Sequence, residues 1–398
     1  MIAAAYRLLG DGYRVFFFAA GVQAVFALGF WILWLGVHWA GGMFSVLPFS
    51  MAPHIWHAHE LVFGYGEAAL GGFLLTAVPN WTGAKGARHI FIATAAGIWL
   101  AGRLAIWFSA SLPASAVMII DLAFLPVLAL KIASLLVKRP KPQNVMFLAF
   151  LTIIWVANLM VHLEWMEITS DTALTGLRGG LYGLCPMIAV LGGRVTPAFT
   201  RNAMQREGLT DRLPRSFQVF EISGVVAAIA VPLLVMADVS VTATAAAMLV
   251  SGVLQVARVA GWRPGFAARQ PILWSLHLSF ALVGVGLILT GLALIGIGSE
   301  VAALHVTAIG GVAGMTLAVM SRASLGHSGR PLVAPFPLAL AYGLVPIAAL
   351  FRWMASGLGV SWYFPGVFLA GAAWILAFIL YLVSLWPAFW SARLQGKE

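Results

Sequence analysis

Long apolar runs dominate this chain, and short polar stretches separate them. Twelve runs are long enough to cross a hydrocarbon core, which takes about 20 residues in a helix. They cover 15–37, 57–79, 90–110, 114–137, 144–163, 176–198, 217–237, 240–259, 271–297, 301–320, 336–355 and 362–386. A spanning segment must satisfy its own backbone hydrogen bonds, so each run is read as a helix. Very short turns around Pro113, Asp238 and Gly298 join runs 3–4, 7–8 and 9–10 and predict tight helical hairpins. The reading is an all-α integral membrane protein with 12 transmembrane helices, a single domain over residues 1–398 in the lipid bilayer.

Composition agrees. Charged residues make up only 9% and hydrophobic ones 62%, against about 25% charged in a soluble domain. The net charge of +10 needs no nucleic acid, because Lys and Arg collect in cytoplasmic loops. With the N-terminus inside, the inner segments hold Arg7, Arg14, Lys85, Arg88, Lys131, Lys138, Arg139, Lys141, Arg194, Arg201, Arg206, Arg212 and Arg215. They also hold Arg258, Arg263, Arg269, Arg322, Arg330, Arg393 and Lys397, so twenty of twenty-three basic residues share one side. Only Arg103, Arg178 and Arg352 fall elsewhere. That bias places both termini in the cytoplasm. The inner loop from Arg201 to Ser216 is basic and short; it is either a solvated topogenic loop or one lying on anionic lipid.

The lone cysteine, Cys185, excludes an internal disulfide, a cysteine metal cluster and covalent haem attachment. P-loop and dinucleotide fingerprints are missing, and the first apolar run lacks a cleavable signal pattern. A weak internal repeat links spans 2, 6 and 10, where Thr76, Thr196 and Thr316 recur every 120 residues after the glycine pairs Gly71-Gly72, Gly192-Gly193 and Gly310-Gly311. Taken as real, it makes three four-helix units and a pseudo-threefold repeat; coincidence among apolar stretches accounts for it equally well.

Candidate chemistry concentrates at the start of span 2, which reads Pro53-His54-Ile55-Trp56-His57-Ala58-His59-Glu60. Ionisable groups inside a membrane are costly and mark interior sites. Helical spacing puts His57, Glu60, Gly64, Glu67 and Gly71 on one face. It puts His59 with Phe63, Gly66, Leu70 and Phe73, a face that reads as turned toward lipid. Topology sets His38, His54, His57, His59, His162 and His305 near the outer level, His277 inside span 9, and His89 and His327 by inner loops. Imidazoles on different helices can converge on copper, iron or zinc. His57, His162 and His305, with His59 as a fourth, are the candidates for one outer metal site, and Glu60 and Glu67 for a proton path inward. Against this, a single membrane histidine is more often a hydrogen-bonded interior residue, and a buried carboxyl more often makes one hydrogen bond. Asp121 and Arg103, on adjacent spans, are read as a simple pair. Arg14, Arg194, Arg201 and Arg322 end helices on the inner side, where arginine suits carboxylates such as haem propionates; the charge bias explains them as well.

Three motifs then carry a resemblance: Trp56-His57-Ala58-His59-Glu60 with Gly71 to Gly83, Gly192 to Asn202, and Thr316 to Pro331. Together, in this order, they resemble the NnrS family along nearly the whole chain. The resemblance implies a multi-pass protein of the bacterial inner membrane, active in the response to nitric oxide and in protection from nitrosative stress. It also implies binding of haem b and copper. The family's recurrent histidines correspond to His57, His59, His162, His277, His305 and His327; Arg14 and Arg322 are candidate cofactor contacts only from their place at inner helix ends. His38, His54 and His89 stand outside that pattern. The usual aromatic-Arg-Pro-Phe-Phe start is here Tyr13-Arg14-Val15-Phe16-Phe17, so the proline is lost and the arginine kept. Two other readings stay open: a nitric oxide reductase or haem–copper-oxidase-like redox enzyme, whose electron donor the chain does not name, and a transporter of a metal or small anion.

Overall fold

The computed structural model describes residues 2–138 and 140–394. Arg139 and Lys397, two of the basic residues used for sidedness, lie outside the described residues. Twelve helices are long and apolar enough to cross a membrane, and they match the twelve apolar runs. Spans 1–6 are Gly12–Trp39, Pro53–Thr82, Ile90–Trp107, Ala114–Leu136, Gln143–Trp165 and Ala173–Arg206. Spans 7–12 are Gln218–Ala237, Val241–Ala260, Pro271–Leu294, Glu300–His327, Phe336–Gly357 and Val360–Trp390. Span 6 is longer than its apolar run. Its helix continues to Arg206, and Pro186 and Pro197 lie inside it.

The chain divides into two compact units whose boundaries fall inside spans 6, 10 and 12 and in the loop between spans 10 and 11. Unit 1 holds residues 1–180, 323–331 and 382–398; unit 2 holds 181–322 and 332–381. This division does not confirm the threefold repeat.

In unit 1, span 2 is buried along most of its length because spans 1, 3 and 4 pack on it. Glycines set these approaches: a Cβ on Gly12 would meet Leu75 at 2.6 Å, and one on Gly72 would meet Phe17 at 2.5 Å. Small residues let membrane helices come this close. Span 4 is broken after Leu122. Pro126 lacks the N–H that would reach the Leu122 carbonyl, and the Trp155 indole N–H donates to that carbonyl instead, at 3.1 Å. Asp121 sits at the break. At the other end of the unit, Nη1 of the buried Arg14 donates to the carbonyls of Ala388, Phe389 and Ser391 at 3.0, 2.9 and 2.8 Å. These carbonyls belong to the last turn of span 12 and the residue after it, where no further turn supplies N–H donors, and a cation satisfies them well.

In unit 2, spans 8 and 9 cross at paired glycines: a Cβ on Gly252 would lie 2.5 Å from the Gly284 carbonyl, and one on Gly284 2.7 Å from the Gly252 carbonyl. Ser240 and Ser299 cap spans 8 and 10, accepting from the N–H groups of Ala243 and Ala302. The expected hairpins close where left-handed backbone is available, at Asp238 (φ 47°) and at Gly296 and Gly298 (φ 91° and 96°).

Two spans carry a π-helical segment, Glu60–Tyr65 in span 2 and Val306–Ala313 in span 10. A π turn adds a residue, so positions before and after it do not share one 3.6-residue wheel. This overturns the lipid-facing assignment of His59, which is fully buried.

Candidate metal centre

Unit 1 gathers polar side chains from its first five spans into one buried cluster. Span 2 supplies His59 and Glu60, and span 3 supplies Arg103. Asp121 comes from the break in span 4. Asn158 and His162, one turn apart on span 5, share a face, and Gln23 comes from span 1. All seven are buried.

The hydrogen bonds close on every carboxylate oxygen. Arg103 bridges the two acids: Nη1 donates to Glu60 Oε1 and Nη2 to Asp121 Oδ1. Gln23 Nε2 donates to Glu60 Oε2 at 2.6 Å. Asn158 Nδ2 donates to Asp121 Oδ2 at 2.9 Å, and His162 Nε2 lies 2.9 Å from the same oxygen. His59 Nδ1 lies 3.2 Å from Glu60 Oε1, while its Nε2 faces Asn158 Oδ1 at 3.0 Å and Asp121 Oδ2 at 3.3 Å. Two glycines make room. A Cβ on Gly64 would sit 3.0 Å from Arg103 Nη1 and from Gln23 Nε2, and one on Gly102 would sit 3.1 Å from Asp121 Oδ1. Within the π segment the Gly64 carbonyl accepts from Trp99 Nε1 at 3.0 Å.

His59, Asp121 and His162 offer ligand atoms that all lie within 4.8 Å of one another. Two imidazoles and a carboxylate suit copper, zinc or iron. Glu60 holds Nδ1 of His59, the kind of carboxylate contact that orients a ligating imidazole. His162 Nδ1 is buried and makes no hydrogen bond with a described residue. A haem does not fit there. The two imidazoles stand edge to face at 5.7 Å and bind the same Asp121 oxygen, leaving no slot for a macrocycle.

The remaining expected residues lie elsewhere. His57 stacks on Trp31, ring centroids 4.8 Å apart, and does not belong to the ligand set. His305 is in unit 2, where its Nδ1 donates to the Val301 carbonyl at 2.7 Å. His277 is buried, with Nδ1 2.9 Å from the Leu273 carbonyl and Nε2 3.2 Å from the Trp262 carbonyl. His327 is exposed and lies against Tyr13 at 5.6 Å. Arg14 is engaged by backbone carbonyls, and Arg322 lies over the Phe199 ring at 3.7 Å. Glu60 is locked by Gln23, Arg103 and His59; Glu67 is buried one π segment further along span 2. The expected pairing of Arg103 with Asp121 is present. Sequence reasoning missed Asp121 as a candidate ligand, Asn158 as its support and Gln23 as the partner of Glu60. The available signal was Arg103, one of three basic residues that fall outside the segments expected on the inner side.

The fold and the cluster define a multi-pass helical membrane protein with a buried histidine–carboxylate centre. A family model described as NnrS protein matches residues 7–393, and the chain belongs to the NnrS family. None of the curated proteins compared matches the chain.

Proposed function

We propose that this protein acts in the bacterial response to nitric oxide as a copper-binding protein of the inner membrane, with His59, His162 and Asp121 holding the ion. The observation that carries the reading is the convergence of two imidazoles and a carboxylate within 4.8 Å, all buried. The family membership supplies the nitric oxide context. Bound copper would supply one-electron chemistry and a site for a small diatomic ligand. The chain's own residues do the holding. Glu60 orients His59, Asn158 and Arg103 orient Asp121, and the surrounding spans exclude water. Haem b, implied by the family resemblance, would need residues other than this cluster. A proton or ion path through Glu60, as in the transporter reading, would have to break that residue's bonds to Gln23, Arg103 and His59.

Metal analysis of purified protein loaded with copper tests the site. His59→Ala and His162→Ala should each lose most of the bound copper, because removing one of three ligands weakens a site strongly, by at least about the tenfold to hundredfold seen for supporting contacts. His38→Ala, whose ring stacks on Trp34 away from the cluster, should keep it. Equal copper in all four proteins would dismiss the site. Survival of cells under a nitric oxide donor, compared between the wild type and His162→Ala, tests the physiological half.

A further inference from the structure

Unit 2 contains a buried cation that its own residues leave unneutralised. Arg322, in span 10, is only 7% exposed. Its guanidinium lies 3.7 Å from the centroid of the Phe199 ring. Among the described residues it makes no hydrogen bond and no ion pair. The titratable groups within electrostatic reach are Arg206, a second cation, and Tyr342. The Tyr342 hydroxyl is already bonded to Ser321 Oγ at 2.6 Å. One turn before Phe199 on the same helix face, Thr196 Oγ1 is buried with no hydrogen-bond partner. Arg258, the other buried arginine of this unit, is different: its Nη1 donates to the Ala189 carbonyl at 2.9 Å and to Gln255 Oε1 at 2.8 Å.

Guanidinium stays charged at any physiological pH. An aromatic face offsets part of the cost of burying it, but none of its N–H donors is satisfied by that contact. A planar fork of donors without an acceptor matches the oxygens of a carboxylate or phosphate. We propose that Arg322, with Phe199 beneath it and Arg206 adding positive potential, forms a binding site for a small oxyanion. The anion is either free in solution or the phosphate of a lipid headgroup. The site shares no residue with the metal centre and stands whether or not copper binds in unit 1.

The test uses full-length protein in neutral detergent, titrated with inorganic phosphate, sulfate or acetate against chloride at matched ionic strength, with thermal stability as readout. A second arm compares nanodiscs of phosphatidylcholine alone with nanodiscs that also contain phosphatidylglycerol. The expected result is a saturable rise in Tm in at least one arm. Arg322→Gln should weaken the apparent affinity about tenfold or more, and Arg322→Lys, which keeps the charge and loses the fork, by less. A response to free anions identifies a solute site; one confined to phosphatidylglycerol identifies the headgroup. The proposal is overturned if neither arm responds, or if Arg322→Gln responds like the wild type. Should Arg322→Gln not fold, an Arg322→Lys response equal to the wild type overturns it.

Discussion

The π-helical segments Glu60–Tyr65 and Val306–Ala313 each begin directly after a histidine, His59 and His305, and their surroundings then diverge. Around the first, the widened turn meets Gln23, Arg103 and Trp99, and the Gly64 carbonyl within it accepts from an indole N–H. Around the second, Cβ atoms on Gly310 and Gly311 would meet Leu282 and Val283 at 2.9 and 2.8 Å, so the turn is filled by aliphatic packing. The same backbone device supports a polar site in one unit and a close helix contact in the other. Buried arginines differ in parallel. Arg103 is bracketed by two carboxylates, whereas Arg322 has only an aromatic ring. What a π turn or a buried arginine does is therefore set by its neighbours, and those neighbours come from other spans.

The largest test of this contrast is to remove each arginine. Arg103→Ala would strand Glu60 and Asp121 without their cation, at a cost of about 3–5 kcal/mol. Arg322→Ala strands no acid and should cost about 1 kcal/mol or less. Unfolding in detergent measures both, and equal losses would erase the distinction. A smaller effect separates the π segments. In Gly286→Ala the new Cβ would meet the backbone of Thr307 at 2.6–2.8 Å, a contact with little freedom to move; overpacking of this kind costs about 1–3 kcal/mol. In Gly64→Ala it would meet side chains and no backbone, Arg103 Nη1 and Gln23 Nε2 at 3.0 Å and Arg103 Cδ at 3.3 Å. Its stability loss should be the lesser, while copper binding falls. The smallest expected effect is that of Trp99→Phe, which leaves the Gly64 carbonyl without its donor, at about 1 kcal/mol. Hydrogen exchange at the π turn should rise with it, and unchanged exchange would show that the indole contact does not hold the turn.

The candidate metal cluster was only half legible in advance. His59 and His162 stand out as intramembrane histidines, and Arg103 as a basic residue out of place. Asp121, Gln23 and Asn158 look like isolated polar residues, because their partners are 18 to 99 positions away in sequence. His57 looked the better ligand because a regular wheel puts it beside Glu60. The π turn breaks that wheel one residue after His59.

The sequence by itself determined the class of protein, the number of spans and the hairpins at Asp238 and Gly298. Those follow from local quantities: runs of apolar residues, glycines and short polar turns, each acting over a few residues. Only the tertiary structure decided which ionisable groups meet. Burying a charge in a membrane is tolerable only beside a compensating group, and that group sits on a different helix. Asp121 next to His162 and Arg103, and Arg322 next to Phe199, depend on how helices pack, on glycines that let them approach, and on one added residue in a turn.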